Sequence, residues 1–480
     1  MEVSRTLSRR RRTSRAAVAA LLVLLLPAAS ARGDEAAQAP KILRVATSGD
    51  YAPFSFAAPG TPTDANIGSD GKPLTGFDIE IATRFARDNG YQLEFVRFRW
   101  PEFGHMLAVG GFDVAMSGVT LKPERSVAGR YSIPVAVTHA VALTWPGSGA
   151  TTVEDLDRQS RRIAVNAGGH LESVAREMFR RAAIVAIADN EAVRMAMLDR
   201  AFDAVVTDNF EDAIWTAGIR DVVRIEPLTD DRKAYLLPAD RGPLAAELDR
   251  WLMAREKDGT LAGLRSQFFG DAAAASPRDA EIAATATPMS ALLAAIGERL
   301  ALMPLVYEAK RASGKPIEDK EQEAAVVEAA MRALGDAAAA AKRPAPDAAA
   351  ARKLFETLIA IGKDAQQRLA DLSDKRRPGT VRQRSQSGSN NNAAVAAEPE
   401  HTPAPFPAKR VFDLGNELRP ALGRITEKIA RILVALDEPV SVVQARRRIG
   451  DALLSRGVKP DRIDALSEAV VAISVHKAGS

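Results

Sequence analysis

Cysteine is absent from all 480 residues, so disulfides, thiolate nucleophiles and cysteine-bound metals are excluded. Histidine is scarce: His105, His139, His170, His401 and His476 are scattered without ligand spacing, and no metal is expected. Long apolar runs are scarce too. The stretch Ala16 to Leu26 is too short to span a bilayer, and no second segment reads as a span of 18 residues. Excess charge is also missing once the first residues are set aside. Arg9 to Arg12 and Arg15 precede the apolar run, and Ala29-Ser30-Ala31 follows it, which is the pattern of an export signal over residues 1–31, cleaved near Ala31. That segment holds six basic residues and one acid, so its removal takes the formal charge from +4 to −1. Neither nucleic acid nor a stable membrane anchor is expected as a partner, and the expected location is the periplasm. The chain leaves a homo-oligomer open.

What is present divides by composition. Residues 41–272 mix short apolar strands (Ile42 to Ala46, Phe112 to Met116, Ala204 to Val206) with amphipathic helices such as Phe77 to Asn89. Such alternation predicts an α/β sheet with ligands at the strands' carboxyl ends. Residues 273–287 form a small-residue linker. From residue 288 to 475 nearly every ordered segment reads as helix, and residues 376–409, rich in Ser, Asn, Pro, Gln and Arg, read as a disordered insertion. The expected fold is therefore multidomain, an α/β domain followed by an all-α domain. The long junction suggests two sites held near each other without a sealed channel.

Several groups carry candidate chemistry. Arg125, in Met116-Ser117-Gly118-Val119-Thr120-Leu121-Lys122-Pro123-Glu124-Arg125, offers a planar fork suited to a carboxylate, with Ser117, Gly118 and Thr120 as adjacent donors. The plainer alternative is a structural ion pair with Glu124 or Asp113. Gly168 and Gly169 precede a helix near His170, where backbone N–H groups face an anion or simply make a turn. Asp208 and Glu211 follow the strand ending at Thr207; Glu211 is either a buried acid with Asp208 as its charged neighbour or a solvated residue of the first helical turn. In the helical half, Leu292, Leu293, Ile296, Leu300 and Met303 form one stripe, and Arg299 and Lys310, almost three turns apart, flank it. Two cations beside a core call for an anion, unless both snorkel to water.

In order along the chain, Thr47 to Phe56, Gly76 to Glu80, Trp100-Pro101, the Arg125 segment, Val165 to Gly169 and Lys233 to Pro238 resemble the cyclohexadienyl dehydratases, which are similar to type II periplasmic binding proteins. The resemblance implies two α/β lobes crossed near Ile133 to Ala136 and Leu228 to Arg232, with a substrate cleft between them. It implies that Asp50, Trp100, Ser117, Gly118, Thr120, Arg125, Gly168, Gly169, His170, Asp208 and Lys233 bind substrate. Glu211 would protonate the leaving ring hydroxyl of prephenate or arogenate. His170-Leu171 departs from the small polar pair of relatives, which bears on substrate preference. Glu298-Arg299-Leu300, Lys310, Pro316-Ile317-Glu318-Asp319 and Gln366 resemble the secreted all-helical chorismate mutases. By that resemblance Arg299 grips a carboxylate, Lys310 and Gln366 address the ether oxygen, and Lys428 is a fourth cation; Gln322 and Gly362 depart from some relatives. The implied function is a cofactor-free bifunctional enzyme taking chorismate to prephenate and on to phenylpyruvate or phenylalanine. The competing reading is an amino-acid-binding protein fused to a helical mutase or interaction domain.

Overall fold

The computed structural model describes residues 41–57, 66–270, 285–375, 410–437 and 439–476. The expected signal segment, the insertion at 376–409 and most of the linker lie outside these residues.

The first half forms two five-stranded sheets. In the first lobe the order is Tyr91–Arg97, Lys41–Thr47, Val114–Ala115, Leu236–Pro238, Gly129–Tyr131. Lys41 to Thr47 runs parallel to Tyr91–Arg97 with Val45 opposite Phe95, and its buried Leu43 and Val45 face helix Phe77–Asp88 within one apolar cluster. In the second lobe the order is Ala183–Ile187, Arg162–Asn166, Ala204–Asp208, Ala140–Thr144, Val223–Ile225. A two-stranded ribbon joins the lobes, Ala136–Thr138 paired antiparallel with Asp231–Lys233. The crossings contain the stretches implied by resemblance, Ile133 to Ala136 and Leu228 to Arg232, and the ribbon strands overlap the ends of both. Lys233 itself sits in the ribbon.

The second half is helical: Pro288–Ala301, Met303–Ala312, Lys320–Ala341, Ala348–Lys375, Arg419–Ala435, Val442–Leu453 and Pro460–His476, with a short π-helical turn at Leu414–Leu418. The expected single helix through Arg299 and Lys310 breaks at Leu302, because Pro304 in the first turn of the next helix removes a backbone donor. The stretch Pro288–Ala312 is long and apolar enough by composition to cross a membrane, contrary to the expectation that no segment after the export signal reads as a span, yet its most apolar window is 67% buried inside the fold. Its apolar side chains serve the core instead.

The halves are not loosely tethered. One apolar cluster runs from Leu43 and Phe85 in the first lobe through Met289 and Leu292 to Ile429 and Leu466. Ala286 is buried, and its N–H donates to Glu256 Oε2 at 2.9 Å. Glu256 in turn pairs with Arg265 at 2.7 Å, and Arg265 donates to the Val135 carbonyl beside the ribbon. The helices therefore pack on the α/β half, while residues 273–284 of the expected linker lie outside the described residues.

Candidate active sites

The first site lies between the lobes. Glu211 occupies the first turn of helix Asn209–Trp215, which follows the buried strand Ala204–Asp208, and it is only 1% exposed. Asn190 Nδ2 donates to its Oε1 and Thr207 Oγ1 to its Oε2, each at 2.5 Å. Burial, then the neighbouring charge of Asp208, pushes the Glu211 carboxyl up to about 8. A group so placed holds its proton at neutral pH and can give it to a basic oxygen. The solvated alternative for Glu211 is thereby removed.

Asp208 caps that helix, accepting from the N–H groups of Phe210 at 3.0 Å and Glu211 at 3.1 Å. Its other oxygen accepts from Tyr51 Oη and lies 3.4 Å from Lys233 Nζ. Lys233 donates further to Tyr51 Oη at 2.7 Å and Thr120 Oγ1 at 3.1 Å, and sits over the Tyr51 ring. A buried ammonium is tolerable here because all three donors have acceptors.

Arg125 lines the same cavity from helix Pro123–Ala128. Its guanidinium lies over Trp100 and Phe103, 5.6 and 5.3 Å from the ring centroids, and Nη1 donates to the Thr120 carbonyl at 3.1 Å. Asp113 pairs instead with Arg44 at 3.2 Å and Arg241 at 3.0 Å. Among the described residues no carboxylate pairs with Arg125. Trp100, Gly118, Thr120, Gly169, His170, Glu211 and Lys233 share the cavity wall with it. Gly118 has φ +58°, and a Cβ there would meet the Tyr51 ring at 2.4 Å, so only glycine fits. His170 Nε2 lies 2.7 Å from Asp231 Oδ2; burial outweighs that carboxylate and lowers the imidazole pKa, and its Nδ1 is buried without a partner.

Four expected residues do not line this cavity, and the first, Asp208, is held behind it by Tyr51 and Lys233. Asp50 is exposed, because it alternates with Tyr51 in a two-residue strand and only Tyr51 points inward. Ser117 is buried but turned to Ser48, accepting from its N–H at 3.0 Å and meeting its hydroxyl at 2.9 Å. The Gly168 N–H is taken by Glu172 Oε2 of its own helix at 2.7 Å, leaving Gly169 to face the cavity. Conversely, Tyr51, Asn166 and Asn190 line the cavity and were not singled out. Tyr51 and Asn166 lie inside quoted motifs, whereas Asn190, next to the capping Asp189, reads locally as a helix start.

The second site is a larger cavity, about 770 Å³, among the helices. Arg299, Lys310, Gln322, Gly362, Gln366 and Arg419 line it. Arg299 Nη1 is buried with no hydrogen-bond partner, and burial without any compensating anion pulls its guanidinium down to about 10. Lys310 Nζ donates to the Ile317 carbonyl at 2.6 Å, which folds the Pro316 to Asp319 segment over the cavity. Burial lowers the Lys310 pKa, with Arg419 and Lys363 adding repulsion against the pull of Asp319 and Glu323. Gln366, from helix Ala348–Lys375, donates to the Gly362 carbonyl at 3.2 Å and keeps a buried Oε1 unpaired. A bound dianion with an acceptor oxygen between its charges satisfies Arg299 and Lys310 together.

Lys428 does not join them. On helix Arg419–Ala435 the positions 419, 422, 423, 426, 427 and 431 line the cavity, and Lys428 is not among them. Its Nζ pairs with Glu298 at 2.7 Å. Arg419 and Arg431 are the cations that this helix contributes to the cavity wall, Arg431 also pairing with Asp249.

Two lobes enclosing a buried acid, followed by a helical cavity of cations, define the class. Residues 43–271 match the sequence profile of the bacterial extracellular solute-binding proteins, family 3, and residues 290–367 that of chorismate mutase type II. Over 225 residues the chain is 31% identical to cyclohexadienyl dehydratase of Pseudomonas aeruginosa, covering 46% of this chain and 80% of that one. Over 230 residues it is 24% identical to the L-cystine-binding protein TcyJ of Escherichia coli, covering 48% and 82%. Among solved structures it is similar to an ancestral amino acid-binding protein described as a precursor of cyclohexadienyl dehydratase, with 29% identity, a TM-score of 0.43, and 48% of this chain and 95% of that one covered. The chain belongs to the cyclohexadienyl dehydratase family of solute-binding proteins and carries a chorismate mutase type II domain behind it.

Proposed function

We propose that this protein is an exported, periplasmic bifunctional enzyme that rearranges chorismate to prephenate in its helical domain and dehydrates prephenate or arogenate in its α/β domain. The observation that carries the second reaction is Glu211, a carboxyl buried beside Asp208 and lining a cavity that also holds Arg125 and Lys233. Passive capture of an amino acid gives that acid no task.

In the α/β cleft, Arg125 grips a substrate carboxylate in a fork of N–H donors against the Trp100 face. Glu211 donates its proton to the ring hydroxyl, which leaves as water. The ring carboxylate departs as carbon dioxide, and the electron pair of its carbon–carbon bond enters the ring, which becomes aromatic. Asn190 and Thr207 fix the acid's orientation, and Lys233 and Tyr51 hold Asp208 as the charge that keeps Glu211 protonated. Asp208 also suits a substrate ammonium if Lys233 yields its place. Gly169, His170 and Leu171 face the same cavity, so the choice between a keto and an ammonium side chain rests on these residues.

In the helical cavity the reaction is pericyclic: the ether carbon–oxygen bond breaks as a carbon–carbon bond forms. Arg299 holds a carboxylate, Lys310 faces the ether oxygen and its developing charge, and Gln366 rotates its amide toward that oxygen. Holding chorismate compact and meeting that charge with fixed cations lowers the barrier.

Incubation of the purified protein with chorismate alone, followed over time, tests both halves. Prephenate rises first and phenylpyruvate follows. Stable prephenate limits the α/β domain to ligand capture, and unchanged chorismate removes the mutase reading.

A further inference from the structure

Arg125 sits in the middle of a six-residue helix, Pro123–Ala128. A helix that short has no independent stability, and its last carbonyls have no partner inside it. Those carbonyls are taken by the helical domain. Arg424 Nη2 donates to the carbonyls of Ser126 at 3.1 Å and Val127 at 2.8 Å, and its Nε donates to Gly129 at 3.2 Å. One residue after Arg125, Ser126 Oγ donates to Glu298 Oε1 at 2.9 Å. Glu298, one residue before Arg299, is held in turn by Lys428, which also reaches the Ser132 carbonyl at 3.4 Å. Arg424, Lys428 and Arg431 repeat at four and three residues, forming a cationic stripe on one side of helix Arg419–Ala435. Arg431 completes the stripe by pairing with Asp249 of the α/β domain at 3.0 Å.

From these contacts we infer that Arg424, seconded by Glu298 and Lys428, is a positioning residue for the dehydratase reaction: the mutase domain caps the helix that aims Arg125 into the interlobe cleft. The inference rests on the reading of Arg125 as the carboxylate clamp. A cation at a helix C-terminus opposes the exposed carbonyls of that end, and the fork of a guanidinium reaches several at once. Arg424 lines neither cavity. Its effect is confined to where Arg125 points.

The test uses the full-length protein and assays the two reactions separately. Arg424→Met raises the KM for prephenate about tenfold, leaves the dehydratase kcat within about twofold, and leaves chorismate consumption within about twofold of the parent. Arg424→Lys, which still donates to these carbonyls, brings the KM back to within about threefold. Ser126→Ala deletes one hydroxyl, keeps the fold, and raises the KM about threefold, which decides the matter even if Arg424→Met is insoluble. Parental KM in Ser126→Ala and in any soluble Arg424→Met overturns the inference, as does equal loss of both activities. Arg125→Ala separates the two levels: if it leaves the KM unchanged the clamp reading fails, and if it raises the KM while the Arg424 and Ser126 variants do not, only the role of the helical domain fails.

Discussion

The two cavities handle charge in opposite ways. In the interlobe cleft nearly every charge already has a partner: Asp208 holds Tyr51 and Lys233, and Glu211 holds Asn190 and Thr207. In the helical cavity two polar groups wait, the charged Arg299 through Nη1 and the neutral amide of Gln366 through Oε1, both buried and unpaired. The space differs as sharply, about 40 Å³ against about 770 Å³. A proton-transfer site needs its acid's pKa fixed before substrate arrives, which requires a complete surrounding network. A pericyclic site needs only correctly placed cations, which its ligand then satisfies.

The sharpest way to break this contrast is Glu211→Gln. It should lower the dehydratase kcat by about a thousandfold while sparing the mutase, read as phenylpyruvate absorbance with prephenate as substrate. A dehydratase that keeps its rate would place the acid elsewhere. Next in size, Arg299→Ala should cost the mutase about a hundredfold in kcat/KM, measured as chorismate loss, with phenylpyruvate formation from added prephenate unchanged. Equal damage to both reactions would mean that this arginine serves the fold.

The pH dependences should also diverge. Dehydratase kcat should fall as pH rises through about 8, where Glu211 loses its proton, while the mutase rate stays level across that window. The same shift has a consequence for stability. Its folded pKa lies above the free value, so Glu211 stabilises the fold below about pH 4.5 and loses that contribution as pH climbs through about 8. Glu211→Gln, which does not titrate, should therefore gain Tm relative to the parent on going from about pH 5 to about pH 9. A Tm difference independent of pH would show that the acid is not buried as described. The smallest effect is expected from Asp50→Ala, under about twofold on the KM for prephenate, since that side chain faces solvent.

The division into an α/β half and a helical half was readable because strand and helix periods differ, and helix Phe77–Asp88 begins at the residue that periodicity indicates. Arg125, Glu211, Arg299, Lys310 and Gln366 were readable because each stands in a motif with a chemical reason. What could not be read depends on parity, breaks or distant partners. One residue of strand alternation separates Asp50 from Tyr51, and one proline divides the helix that carries Arg299 from the one that carries Lys310. Lys428 looked like a site cation because its partner, Glu298, lies 130 residues away. The contacts of Arg424 are farther still along the chain, up to 298 residues, and no local pattern announces them.

Among the described residues the chain passes between the lobes through the ribbon of Ala136–Thr138 and Asp231–Lys233, and the space the lobes now enclose is about 40 Å³. Admission of a substrate must therefore part the lobes. Parting them would withdraw Tyr51, on the first lobe, from Asp208, on the second, so the shut cleft is latched across the lobes by the same side chains that surround the acid.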